Sequence, residues 1–110
     1  MSIRPYIEFL QRVAALDPEM PLQQLHCLLV IAEANEGLSL TDLAKKVGIG
    51  LATASRYVGA LGKINRRREE GLKLIEAFED PMERRKKIIR LTKKGTITTY
   101  KLIGVKNADL

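Results

Sequence analysis

Apolar residues recur along this chain at helical spacing in several segments and alternate with charge in one. In RPYIEFLQRVAALD, Ile7, Leu10 and Ala14 form one stripe and Phe9, Val13 and Leu16 another, with Pro5 in a first turn that tolerates it. This predicts a helix within residues 1–20, broken by Asp17 and Pro18. The pattern restarts in PLQQLHCLLVIAEANEG, where Leu22, Leu25, Leu29 and Ala32 share a face beside Leu28 and Ile31, and ends at Gly37. This second helix is expected to be the central one.

The segment LSLTDLAKKVGIGLATASRYVGALGKI carries two helical patterns separated by glycine. Thr41 is expected to cap the first with its hydroxyl, and Leu43, Ala44 and Val47 to face inward. Gly48 permits the positive φ of a tight turn, Ile49 fills the corner, and Ala54, Tyr57, Val58 and Leu61 follow at i, i+3, i+4 and i+7. Ala44 is small where a crossing helix needs it to be. Helix, glycine turn, helix is a helix-turn-helix, here over 41–66. With the inward positions assigned, Ala52, Thr53, Ser55, Arg56 and Gly59 remain on the opposite face, short and polar enough to enter a major groove.

Beyond it, NRRREEG reads as a charged connector or an extension of the second helix, with Gly71 as its stop. LKLIEAF, EDPMER and RKKIIRL then predict a β-hairpin over 72–91 around a proline turn, a basic wing. Thr92 is expected to cap a last helix over 92–104, with Ile97, Tyr100 and Ile103 on its apolar face. The expected architecture is α+β, mainly α: a single winged helix-turn-helix domain over 1–110, with a two-stranded wing and flanking N- and C-terminal helices.

Charge sharpens this picture. The net charge is +6, yet residues 1–50 carry 4 Lys/Arg against 6 Asp/Glu while residues 51–110 carry 15 against 7. A basic half on a near-neutral half is the footprint of a polyanion-binding surface, most often for nucleic acid. The single cysteine, Cys27, excludes an internal disulfide and a paired-cysteine metal site and fits a reducing compartment. Cys27 and His26 lie in an apolar helical stretch, where packing is the simpler role than oxidant sensing. The longest apolar run falls short of the roughly 20 residues of a membrane span, so a cytoplasmic protein with no membrane partner is expected. No nucleophile beside a base, phosphate loop, dinucleotide fingerprint or metal-ligand set appears, so neither enzymatic activity, cofactor nor metal is expected.

Two segments carry a family resemblance: MPLQQLHCLLVIAEANEGLSLTDLAKKVGIGLATASRYVGAL and LIEAFEDPMERRKKIIRLTKKG. Together they resemble the multiple-antibiotic-resistance regulator (MarR) family of winged helix-turn-helix transcription factors, whose wing typically reads Asp-Pro-x-Asp-Arg-Arg before an aliphatic strand and Leu-Thr-x-x-Gly. The resemblance implies that Arg84 or Arg85 enters a minor groove and that Glu83 replaces the acidic residue holding the wing arginine. It also implies that Thr53, Ser55 and Arg56 lie in a major groove.

The residues expected on DNA are therefore Ala52, Thr53, Ser55 and Arg56 in the major groove and Arg84, Arg85, Lys86 and Lys87 on the wing. Thr41, Lys63, Lys93 and Lys94 are expected on phosphates. The expected function is sequence-specific binding of double-stranded DNA by a homodimeric transcriptional regulator, a repressor, with any small-molecule effector unknown. The alternatives are a plasmid or phage protein of partition or replication, and a winged-helix scaffold for protein partners.

Overall fold

The computed structural model describes residues 2–63 and 69–104. In chain order the elements are α1 (Arg4–Leu16), α2 (Leu22–Glu33), β1 (Leu38–Ser39), α3 (Leu40–Val47), α4 (Leu51–Leu61), β2 (Ile75–Asp80), β3 (Glu83–Leu91) and α5 (Lys93–Leu102). As expected, α2 is the axis: Leu25, Cys27, Leu28 and Ile31 are buried, and the helix packs against α3, α4, β3 and α5. Its first residue behaves otherwise. Leu22 is 79% exposed and Leu25 is buried, so the apolar face begins one turn later than its spacing suggests.

The helix-turn-helix forms for the reasons its sequence gives. Leu43 and Ala44 of α3 and Ala54 and Leu61 of α4 are buried, so the two alanines let the helices cross closely. Gly48 takes φ +80°, its N–H donates to the Ala44 carbonyl at 2.9 Å, and Ile49 packs against the core from the corner. The cap differs from expectation. Ser39, not Thr41, caps α3, accepting the Asp42 N–H at 3.1 Å, because the helix starts one residue before Thr41. Thr41 is left exposed in the first turn.

The sheet holds three strands in the order β1–β3–β2, all antiparallel, so the hairpin gains a third strand from the two residues ahead of α3. Leu38 pairs with Ile89 and Ser39 with Ile88, which fixes the wing base to the start of the helix-turn-helix. Gly37 makes this possible: at φ +97° it lies so close to β3 that a Cβ would meet the Ile88 side chain at 2.7 Å.

Downstream, α4 ends at Leu61 rather than near residue 66, and Gly71 stops no helix; its N–H donates to the Lys63 carbonyl at 3.0 Å. Residues 64–68, which include the arginines of NRRREEG, lie outside the described residues. Thr92 caps α5 as expected, accepting the Gly95 N–H at 2.9 Å. The buried residues of α5 are Gly95, Thr99 and Leu102, whereas Tyr100 and Ile103 are exposed. Helix α1 docks on α5, where Arg12 Nε donates to the Leu102 carbonyl at 2.7 Å, and buries Val13 in the core. Its other side, carrying Ile3, Tyr6, Ile7 and Leu10, remains in solvent.

Candidate nucleic-acid interface

The first turn of α3, the first residue of α4 and the outer half of β3 converge on one groove of about 520 Å³. Thr41 and Asp42 line it from α3, Leu51 from α4, and Glu83, Arg85, Lys86 and Lys87 from the wing. Each contributor has a local cause. The Ser39 cap sets where α3 begins, Gly48 sets the crossing that presents α4, and the β1–β3 pairing holds the wing against both.

An irregularity in the hairpin explains how so many cations reach the groove. The register runs evenly to Glu79↔Lys87 and then jumps to Asp80↔Glu83, so one step on β2 is matched by four on β3. Arg84, Arg85 and Lys86 are left without cross-strand partners, and such bulges re-aim side chains that a regular strand would alternate. Both Arg85 and Lys86 consequently line the groove although they are sequence neighbours; Arg84 does not. The tip is a two-residue turn of Pro81 and Met82, braced by the Asp80 carboxylate, which accepts the Met82 N–H at 2.9 Å.

On α4, Ala52, Ser55 and Arg56 are exposed and Thr53 is half-buried, while Tyr57 and Val58 turn toward the core. The Arg56 guanidinium stands 5.5 Å from the centre of the Tyr57 ring, and the Tyr57 hydroxyl reaches Gln23 Oε1 at 3.4 Å. Ala52, Thr53, Ser55 and Arg56 do not line the groove, to which α4 contributes Leu51, and the remaining expected residues also lie apart from it. Lys63 follows α4 and lines a second cleft with Lys73, Glu76 and Thr92. Lys93 and Lys94 open α5, at the far end of β3 from the wing tip. Lys73, at φ +60°, forms a salt bridge with Glu70 and holds that exposed carboxyl below its ordinary range by hydrogen bonding and charge attraction.

The comparisons agree on architecture. The family model for the IclR helix-turn-helix domain matches residues 25–63. No curated protein sequence matches the chain. The MepR–DNA complex of S. aureus superposes with a TM-score of 0.68 at 25% identity, over 89% of this chain and 73% of that one. The PcaV transcriptional regulator from Streptomyces coelicolor, solved with its natural ligand, gives 0.61 at 27% over 83% and 57%. The adhesin competence repressor AdcR of Streptococcus pyogenes gives 0.61 at 20% over 82% and 60%. The chain has the winged helix-turn-helix fold of these regulators, as the MarR resemblance implied.

The chain spans under two thirds of the PcaV and AdcR chains. The clamp implied by the resemblance is not closed: among the described residues neither Arg84 nor Arg85 is paired with a carboxylate, Glu83 included. The groove also contains two features that the sequence reading passed over. Leu51 lies three residues before Ala54, so helical spacing assigns it to the core, yet it is 53% exposed. The bulge leaves no mark in the sequence, because the consecutive cations Arg84, Arg85, Lys86 and Lys87 run through it. For Cys27, burial raises the thiol pKa, which suits a packed side chain. No helix among the described residues is long and apolar enough to cross a membrane. Nor do those residues group three or more metal-ligating side chains.

Proposed function

We propose that this protein is a sequence-specific DNA-binding regulator of transcription that acts as a homodimer and a repressor. Helix α4 enters the major groove with Ala52, Thr53, Ser55 and Arg56. The wing cations Arg85, Lys86 and Lys87, with Arg84 outside them, engage the minor groove and its phosphates. Thr41, Lys63, Lys93 and Lys94 add phosphate contacts. The observation that carries the reading is the convergence of the α3 start, the α4 start and the bulged basic strand on one groove, in a fold that MepR presents to DNA. The dimer rests on the stripe of Ile3, Tyr6, Ile7 and Leu10, exposed on α1 beside Tyr100 and Ile103 of α5. A second copy covers such a surface most economically.

Fluorescence anisotropy with random duplex DNA across salt concentrations tests the reading. The native chain should show a steep salt dependence, and Arg84→Ala/Arg85→Ala should flatten the log–log slope by about 1 or more, one unit per lost phosphate contact, with Arg85 the larger contributor. A folded native chain that fails to bind at low salt would refute it. Sedimentation at tens of micromolar tests the dimer, which a monomer would sink.

A further inference from the structure

We propose that Leu51 is a specificity residue that reads the 5-methyl group of a thymine in the major groove. The inference rests on the DNA-binding reading above and names one base contact within it. Leu51 is the first residue of α4, and recognition helices place their N-terminal residues against base edges. Gly50 before it has no side chain, and no residue packs where one would sit.

An exposed leucine is ordinary on a protein surface. The setting separates this one from that background. The other exposed residues of the groove are Thr41, Asp42, Glu83, Arg85, Lys86 and Lys87, all polar or charged, and only half-buried Leu40 adds another apolar surface. At 53% exposure Leu51 leaves much of its side chain in water at the point where three elements meet. Thymine is the base that presents an apolar group in the major groove. Contact between that methyl and Leu51 removes apolar surface of both from water, a gain available at no other base and independent of the cations that set general affinity.

The test begins with duplexes selected from a random library by the native chain. In the selected site each thymine is replaced in turn by deoxyuridine, which deletes only the methyl. At one thymine in each half-site the native chain should lose about fourfold in affinity, the worth of burying one methyl-sized group. Leu51→Ala should bind the thymine site about fourfold more weakly and feel no further loss on deoxyuridine. Leu51→Met, which keeps an apolar contact, should retain the sensitivity. Leu51→Ala should melt within a few degrees of the native chain.

Indifference of the native chain to every deoxyuridine overturns the proposal, and so does a methyl penalty that persists undiminished in Leu51→Ala. Equal weakening of all duplexes by Leu51→Ala, with the methyl still felt, would make Leu51 a packing residue. Absence of any DNA binding at low salt would overturn the DNA reading itself, a result distinct from binding that ignores the methyl.

Discussion

The base and the tip of the wing are the same two strands, yet different physics holds them. At the base, Ile75 and Ile89 are buried and Leu91 is packed against the core, so the ladder is fixed by apolar burial on one face and by β1 along one edge. At the tip, every residue from Pro81 to Lys87 is exposed, and the register breaks at the bulge. The hydrogen bond from Met82 to Asp80 is the side-chain brace there. A strand can thus belong to the core for half its length and stand in solvent for the other half, where the proposed DNA contact lies. The crossover falls at Ile88, half-buried between the two regimes. Substitutions at the base should therefore cost stability, and those at the tip should cost affinity.

The strongest way to break this division is at Gly95. The first turn of α5 lies directly against the Leu74 backbone, and a Cβ on Gly95 would overlap the Leu74 carbonyl oxygen. Neither partner is a flexible side-chain end, so Gly95→Ala must displace α5 or the entry into β2. A loss of more than about 3 kcal/mol is expected in denaturant unfolding, with DNA binding lost only as the fold is lost. A loss under about 1 kcal/mol would show a wing base softer than its burial implies.

What was legible in the sequence follows the same line. The helix-turn-helix was readable because geometry constrains residue identity: Ala44 and Ala54 are buried where the helices cross, Gly48 takes the left-handed φ of the turn, and apolar spacing marked Leu43 and Leu61. The cap was misplaced because Ser39 and Thr41 both offer a hydroxyl, and only the backbone decides which residue precedes the first turn. Strand β1 was invisible because two residues carry no periodicity, and its pairing depends on Gly37 approaching β3 from far along the chain. At the candidate interface the polar face of α4 could be found by elimination. The sorting of Arg84 from Arg85 could not, since a bulge among consecutive cations is a property of strand register rather than of residue type.

That sorting supplies a smaller test. Arg85 lines the groove with Thr41 and Leu51, and Arg84 does not. Arg85→Ala should weaken binding about tenfold, the scale of one charge-assisted contact, and Arg84→Ala less than threefold. Both should leave stability within about 0.5 kcal/mol, as expected for exposed sites. Salt-titrated anisotropy with the two single variants measures the difference, and equal losses would mean that the bulge does not sort the two arginines.

The finest test concerns Arg90, an exposed cation of the base, set between Ile89 and Leu91. Its Nε donates to Glu76 Oε1 at 2.8 Å, and its guanidinium stands 4.5 Å from the centre of the Phe78 ring, so it links β3 to β2 on the outer face of the sheet. Both charged side chains are about half exposed, and solvent screening limits the worth of the pair. Arg90→Ala should cost about 0.5–1 kcal/mol in denaturant unfolding, the combined scale of an exposed cross-strand pair and a cation–π contact. Arg90→Lys should recover only part of it, because an ammonium lacks the planar fork that both satisfies Glu76 and lies over the ring. Although Arg90 is a cation on the same strand as Arg85, its charge is already engaged with Glu76, so its loss should leave the salt slope of DNA binding unchanged. If Arg90→Ala instead flattened that slope as Arg85→Ala does, the binding surface would extend below Ile88, and the boundary between base and tip would have to move with it.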